Sequence, residues 1–155
     1  MDKKIFMMEA IKEAKVGIHL GHGGPFGAVI VHKNEIVTRG HNEVLKTNDP
    51  TRHGEMVAIR NASRRLSTFN LKGCDLYTTG EPCPMCLAAS MWADIENIYF
   101  GCTIEDNEKI GFRDNIFNNF MNIDRSKFKN LHMLERDKCL KLFDEYNSIQ
   151  GRIIY

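Results

Sequence analysis

Through the N-terminal segment, apolar residues recur every three to four positions. Met7, Ala10, Ile11, Ala14 and Ile18 share one face, while Lys4, Glu9, Lys12 and Glu13 lie mostly elsewhere. An amphipathic helix is predicted. The period then changes: Phe26 to Lys33 (FGAVIVHK) and Glu35 to Val44 (EIVTRGHNEV) predict two strands of a hairpin with a tight turn near Asn34. Asp49-Pro50 offers an N-cap and a first-turn proline. Met56, Ile59 and Leu66 give the following segment, from close to His53, a helical apolar face.

Farther on, Cys74 to Thr79 predicts a strand, Pro82 to Ala93 a helix and Asn97 to Cys102 another strand. Beyond Asn107 the pattern weakens to a helix around Asn115 to Phe120, a short strand near Leu131 to Leu134 and a helix from Asp137 to Tyr146. Strands alternating with helices predict an α/β fold, a sheet covered by helices. No repeat or linker divides the chain, so one domain over residues 1–155 is expected.

Charge narrows the function classes. Lysine and arginine number 21 against 20 acidic residues, a net +1, so the broad basic surface of a nucleic-acid-binding protein is missing. Arg60, Arg64 and Arg65 form a local cluster with the spacing of a solvated helix face. No apolar run near the N-terminus is long enough for a secretory signal or a membrane span, so a cytoplasmic protein without a membrane partner is expected. In that reducing setting, five cysteines point to metal or redox chemistry rather than disulfides.

The chemistry concentrates in two fragments, His53-Gly54-Glu55 and Pro82-Cys83-Pro84-Met85-Cys86, each at a predicted helix start. Cysteines at i and i+3 near a helix N-terminus can converge, and the free N–H groups and dipole there favour thiolates. His53, Cys83 and Cys86 make three zinc ligands. Structural sites are closed by four protein ligands, whereas catalytic sites keep a position for water. Zinc there lowers the pKa of bound water toward about 7, which makes hydroxide available as a nucleophile. Glu55, unligated beside that water, can take its proton and pass it to a substrate nitrogen. The combination suits attack on an amino-bearing ring carbon, from which ammonia leaves. The alternatives are a thioredoxin-like dithiol at Cys83 and Cys86, and a structural zinc site completed by Cys74 or Cys102.

HGE followed by PCPMC matches the H-x-E and P-C-x-x-C signature of zinc nucleobase deaminases. The chain resembles the cytidine deaminase superfamily, and within it the bacterial branch that deaminates guanine. The resemblance runs from about residue 10 to residue 102. It is carried also by GGPFGAVIV (Gly23 to Val31), GHN (Gly40 to Asn42), NDPTRH (Asn48 to His53), EPCPMCLAASMWA (Glu81 to Ala93) and the terminal Tyr155. It implies a three-layer αβα sandwich with a five-stranded mixed sheet, one Zn²⁺ per subunit, and hydrolysis of guanine to xanthine and ammonia with Glu55 as proton shuttle.

By the same resemblance, Asn42 hydrogen-bonds the purine, Phe26 and Trp92 help form the pocket, and Asp114 in GFRD contacts the base. The bland counterparts are core packing for Phe26 and Trp92, a strand-ending turn for Asn42 and a helix N-cap for Asp114. Gly54 stands where many relatives have alanine, and leaves its backbone N–H available to a substrate. The segment from Asp106 to Lys138 departs more widely.

Rival activities are deamination of adenosine in tRNA, of cytosine, of guanosine, or of a pterin or triazine. A non-enzymatic zinc-stabilised binding module would need a fourth protein ligand. The apolar end Arg152 to Tyr155 follows Gly151, which can close the last helix in a left-handed turn. The resemblance implies a homodimer in which this end crosses to the partner and closes over its site.

Overall fold

The computed structural model describes residues 2–155. Helix α1 (Lys3–His19) starts at Asp2, whose carboxylate accepts the Lys4 N–H at 2.9 Å, and it buries the predicted stripe together with Phe6 and Gly17. Strands β1 (Gly27–His32) and β2 (Glu35–His41) form the expected antiparallel hairpin, with Lys33 and Asn34 both at positive φ in the turn. Such a turn matches the twist of the strands it joins.

Two local expectations are corrected next. β2 ends at His41 rather than Val44, because the Asn42 side chain accepts the Val44 N–H at 3.0 Å and turns the chain into a short helix, α2 (Val44–Thr47). Asp49-Pro50 does not begin a helix. The Asp49 carboxylate accepts both the N–H and the O–H of Thr51, which closes a turn, and His53 caps α3 (Gly54–Leu66) instead. The buried face of α3 is Val57, Ala58 and Ala62, flanked by Gly54 and Glu55. Alanines let the helix lie close on the sheet and displace Met56, Ile59 and Leu66 to its margin.

The remaining elements are β3 (Cys74–Gly80), α4 (Pro84–Trp92), β4 (Asn97–Cys102), α5 (Ile104–Lys109), α6 (Asp114–Phe120), a 3₁₀ turn (Arg125–Lys127), β5 (Leu131–Met133) and α7 (Arg136–Ser148). Only α2, α5 and the 3₁₀ turn are unforeseen by periodicity. The strands lie in the order β2-β1-β3-β4-β5, with β1 antiparallel to both neighbours and β3, β4 and β5 parallel. Parallel neighbours need a crossover, and α4 supplies the one between β3 and β4.

Alternation along the strands divides the core. Ala28, Ile30 and Leu76 face α3 and α4 on one side, while Val29, Val31 and Tyr77 face α1 and α7 on the other. The result is the three-layer αβα sandwich with a mixed five-stranded sheet. It brings the N-termini of α3 and α4 together beyond the carboxyl end of β3, where open α/β sheets form their binding crevice. No helix among the described residues is long and apolar enough to cross a membrane.

Candidate active site

His53 is the N-cap of α3, Cys83 is the N-cap of α4, and Cys86 lies in the first turn of α4 behind Pro84. Neither cap makes a side-chain bond to its own helix, so both are left to meet each other and the Cys86 thiol. His53 Nδ1 lies 3.5 Å from Cys83 Sγ and 3.6 Å from Cys86 Sγ. A tetrahedral zinc with bonds of about 2.0 Å to nitrogen and 2.3 Å to sulfur requires a nitrogen–sulfur separation of about 3.6 Å. The donors therefore fit zinc in both chemistry and spacing.

Among the described residues no other trio of His, Cys, Asp or Glu converges in this way, and neither Cys74 nor Cys102 joins this one. A closed four-ligand structural site is thus excluded for those two cysteines. Electrostatics prepare one of the three donors for a metal, the Cys83 thiol, while Cys86 and His53 would give up a proton on binding it. A bond from Cys86 holds the Cys83 thiol well below its ordinary range against the opposing effect of burial, and burial pushes the Cys86 thiol up. Burial opposes charge on His53, but the Cys83 sulfur outweighs it and lifts the imidazole to about 9. Low-pKa thiols at helix starts are the form a soft cation binds.

Glu55, in the first turn of α3, is 4% exposed, and burial, reinforced by the negative Cys83, raises its carboxyl pKa. Thr78 on β3 donates its O–H to Glu55 Oε1 at 3.2 Å. A carboxylate whose charge is opposed by its surroundings holds a proton more readily than a free one, which suits it to accept and return one.

An inner cleft of about 20 Å³ is lined by Phe26, Asn42, Glu55 and Asp114 with the ligands His53 and Cys83. It opens to a wider cavity of about 270 Å³ beside Val44, Met85, Phe117 and Met121. Phe26 lies edge-on to Phe112 and Phe143, with centroids 4.8 and 5.8 Å away, so it belongs to the cleft and to the core at once. Asn42 is 1% exposed; its oxygen makes the expected turn at Val44, and its side chain also lines the cleft.

Asp114 is not an N-cap. Arg113 holds that position, and the Asp114 carboxylate turns into the cleft, where burial, then the charges of Cys83 and Glu55, push it up to about 6. Gly54 is buried, and a Cβ there would stand 3.0 Å from the Phe26 carbonyl, tighter than an ordinary contact.

One expectation changes. Trp92 is 89% exposed, and lines a shallow depression with Phe69 and Ile59 rather than the cleft or the core. At about 100° per residue, it points roughly 120° away from Cys86 on α4. Tyr155, the residue expected to close a site, reaches a cleft within the described chain. Gly151 makes the left-handed turn, the Gly24 N–H donates to Tyr155 Oη at 2.8 Å, and the ring packs edge-on against Phe112. A Cβ on Gly24 would collide with Phe112 at 2.6 Å, so only glycine admits this closure.

Motif reading misses Thr78, Phe112, Glu81 and Asn107. Thr78 was accessible in principle, because it shares the two-residue period of Leu76 and therefore faces α3.

Residues 1–102 match the family described as the cytidine and deoxycytidylate deaminase zinc-binding region. A guanine deaminase of Bacillus subtilis is 43% identical over 114 residues, 74% of this chain and 73% of that protein. A tRNA-specific adenosine deaminase of Aquifex aeolicus is 46% identical over 100 residues, 64% and 66% respectively. The X-ray structure of the Bacillus subtilis guanine deaminase superposes with a TM-score of 0.76 at 33% identity, covering 100% of this chain and 99% of that one. A guanine deaminase structure from Nitrosomonas europaea gives 0.80 at 23% identity, covering 96% and 86%, a likeness of fold. With three converging zinc donors and a buried acid beside them, the chain belongs to the cytidine and deoxycytidylate deaminase family and is a zinc-dependent nucleobase aminohydrolase.

Proposed function

We propose that residues 1–155 act as one deaminase domain that hydrolyses guanine to xanthine and ammonia. The observation that carries this reading is the carboxylate of Asp114 in the cleft beside Glu55 and the zinc ligands. In guanine, the amino-bearing carbon is flanked by a ring N–H, which a carboxylate accepts. Adenine and cytosine present a bare ring nitrogen there, which a carboxylate repels. Asn42 can meet the remaining ring acceptors, while Phe26 supplies an apolar wall.

Zinc, held by His53, Cys83 and Cys86, would acidify a water to near neutrality. Glu55 would carry one proton of the attacking water to the ring nitrogen beside the amino-bearing carbon and the other to the departing amine, so that water adds, ammonia leaves and the ring N–H of xanthine is accounted for. Thr78 holds the Glu55 carboxylate in place through these transfers.

The second reading, adenosine in tRNA, is favoured by the relative from Aquifex aeolicus. The near-neutral charge and the Tyr155 closure oppose it. Ammonia release from guanine, guanosine, adenine, cytosine and a tRNA anticodon stem-loop separates the two. Guanine is expected to exceed adenine, cytosine and the stem-loop by at least about 100-fold, well within the discrimination a hydrogen-bonding site achieves, and the comparison with guanosine, which shares the same edge, reads whether the cleft admits a ribose. A faster stem-loop would replace guanine by tRNA.

The homodimer and a cytoplasmic setting belong to the same proposal. Two copies exchanging residues 152–155 about Gly151 would make between chains the contacts that Tyr155 makes within one. Deleting those four residues is expected to lower guanine turnover at least about tenfold, by opening the cleft to water, while zinc stays bound. Light scattering on the truncated chain distinguishes the arrangements: loss of dimer indicates exchange, and a persisting dimer indicates closure within each chain. Undiminished turnover would show that Tyr155 is no lid.

A further inference from the structure

Asp114 is held by something other than the helix it begins. Helix α6 buries none of its residues fully, Asp114 itself being only half-buried, and its N-cap Arg113 makes no side-chain cap bond. Elements with so little burial are weakly fixed by packing. Helix α5 is the opposite case. Thr103 and Asp106 close a reciprocal capping box at its start, and Arg136 grips both oxygens of Asp106 at 2.8 Å.

From α5 the fully buried Asn107 side chain reaches two acceptors. Its Nδ2 donates to Asp114 Oδ2 at 3.1 Å and to the backbone carbonyl of Glu81 at 3.2 Å. Glu81 stands two residues before the zinc ligand Cys83. The Phe112 N–H also donates to the Asn107 carbonyl at 3.1 Å, which ties the turn leading to Asp114 to the same residue.

Asn107 Oδ1 is buried without a partner among the described residues. As packing material the amide is therefore inferior to a leucine of similar volume. What it adds is the pair of N–H bonds, one to the substrate-facing carboxylate and one to the loop that carries a metal ligand.

We propose that Asn107 is a positioning residue for deamination: it fixes the Asp114 carboxylate relative to the zinc-ligand loop, so that the carboxylate meets the ring N–H of the bound base. The proposal rests on the reading of Asp114 as a substrate contact.

A double-mutant cycle on the zinc-loaded protein tests it, with guanine steady-state kinetics for Asp114→Ala, Asn107→Leu and the pair. Asn107→Leu is expected to lower kcat/KM about tenfold or more, chiefly through KM, the loss typical of one hydrogen bond to a charged group. In the Asp114→Ala background the same change is expected to alter kcat/KM less than about twofold, because its target is gone. Zinc content and melting temperature, measured alongside, report packing damage, which would be the same in both backgrounds.

Should Asn107→Leu fail to fold, Asn107→Ser serves: its hydroxyl can donate to one acceptor but not to both, and the same coupling is expected. Losses that multiply in the double variant would overturn the role of Asn107 and leave that of Asp114 standing. Parental kinetics in Asp114→Ala would remove both.

Discussion

Glu55→Gln is expected to abolish guanine deamination while leaving zinc and fold in place. The substitution conserves size and keeps an oxygen that can accept from the Thr78 hydroxyl, so that bond can survive. What disappears is the capacity to take a proton from water and return it to the leaving nitrogen. General acid–base groups contribute about 10²- to 10⁴-fold, and a group that serves successive transfers belongs at the top of that range. Burial opposes the ionised form of Glu55 in the folded chain, so a neutral amide should not lower stability. Single-turnover ammonia release, metal analysis and a melting curve are the three measurements. A rate within tenfold of the parent would reduce Glu55 to a helix-end acid without a role in proton transfer.

Residue types carried most of the metal site. His53, Glu55, Cys83 and Cys86 sit in two short local motifs, and each motif begins a helix for reasons visible in the residues themselves: a proline at the first turn of α4, and an apolar run behind it. Patterns of two and of three to four likewise located α1, the hairpin and the β3-α4-β4 crossover.

The failures have local causes. Helix α5 has six residues, too few for a period to declare itself, although its Thr103 to Asp106 capping box is a readable start signal. The face of α3 was misjudged because alanines rather than large side chains carry its burial. The resemblance implies a pocket role for Trp92, but the end of α4 turns this side chain to solvent.

The partners that hold the site together were invisible for a different reason. Thr78 and Glu55 are 23 residues apart, and Gly24 and Tyr155 are 131 apart. Only the assembled sheet brings such residues within bonding distance. The family match itself ends at residue 102, so Asp114, Asn107 and Tyr155, to which the proposals above assign substrate choice, lie beyond it.

Replacing Cys86 by alanine is expected to empty the metal site and silence the enzyme with little harm to the fold. The thiol lies fully buried in the first turn of α4, and no other trio among the described residues offers a metal an alternative seat. Two donors, His53 and Cys83, would remain. Disturbing groups that merely orient a ligand commonly costs about 10- to 100-fold in affinity or activity, so removing a ligand outright should cost more than about 100-fold in both. The helix should persist, since Pro84 still begins it and Leu87 still packs into the core, and alanine is the residue most favourable to a helix. Cys74, Cys102 and Cys139 supply the comparison: all are buried, all stand outside the trio, and their alanine variants should keep zinc while losing some stability from the space left behind. Metal content of the variants by mass spectrometry, with activity after chelation and zinc readdition, makes the contrast quantitative. The parent should recover its activity, and Cys83→Ala and Cys86→Ala should not. Full zinc occupancy in either of those two variants would overturn the ligand assignment and, with it, the proton path assigned to Glu55.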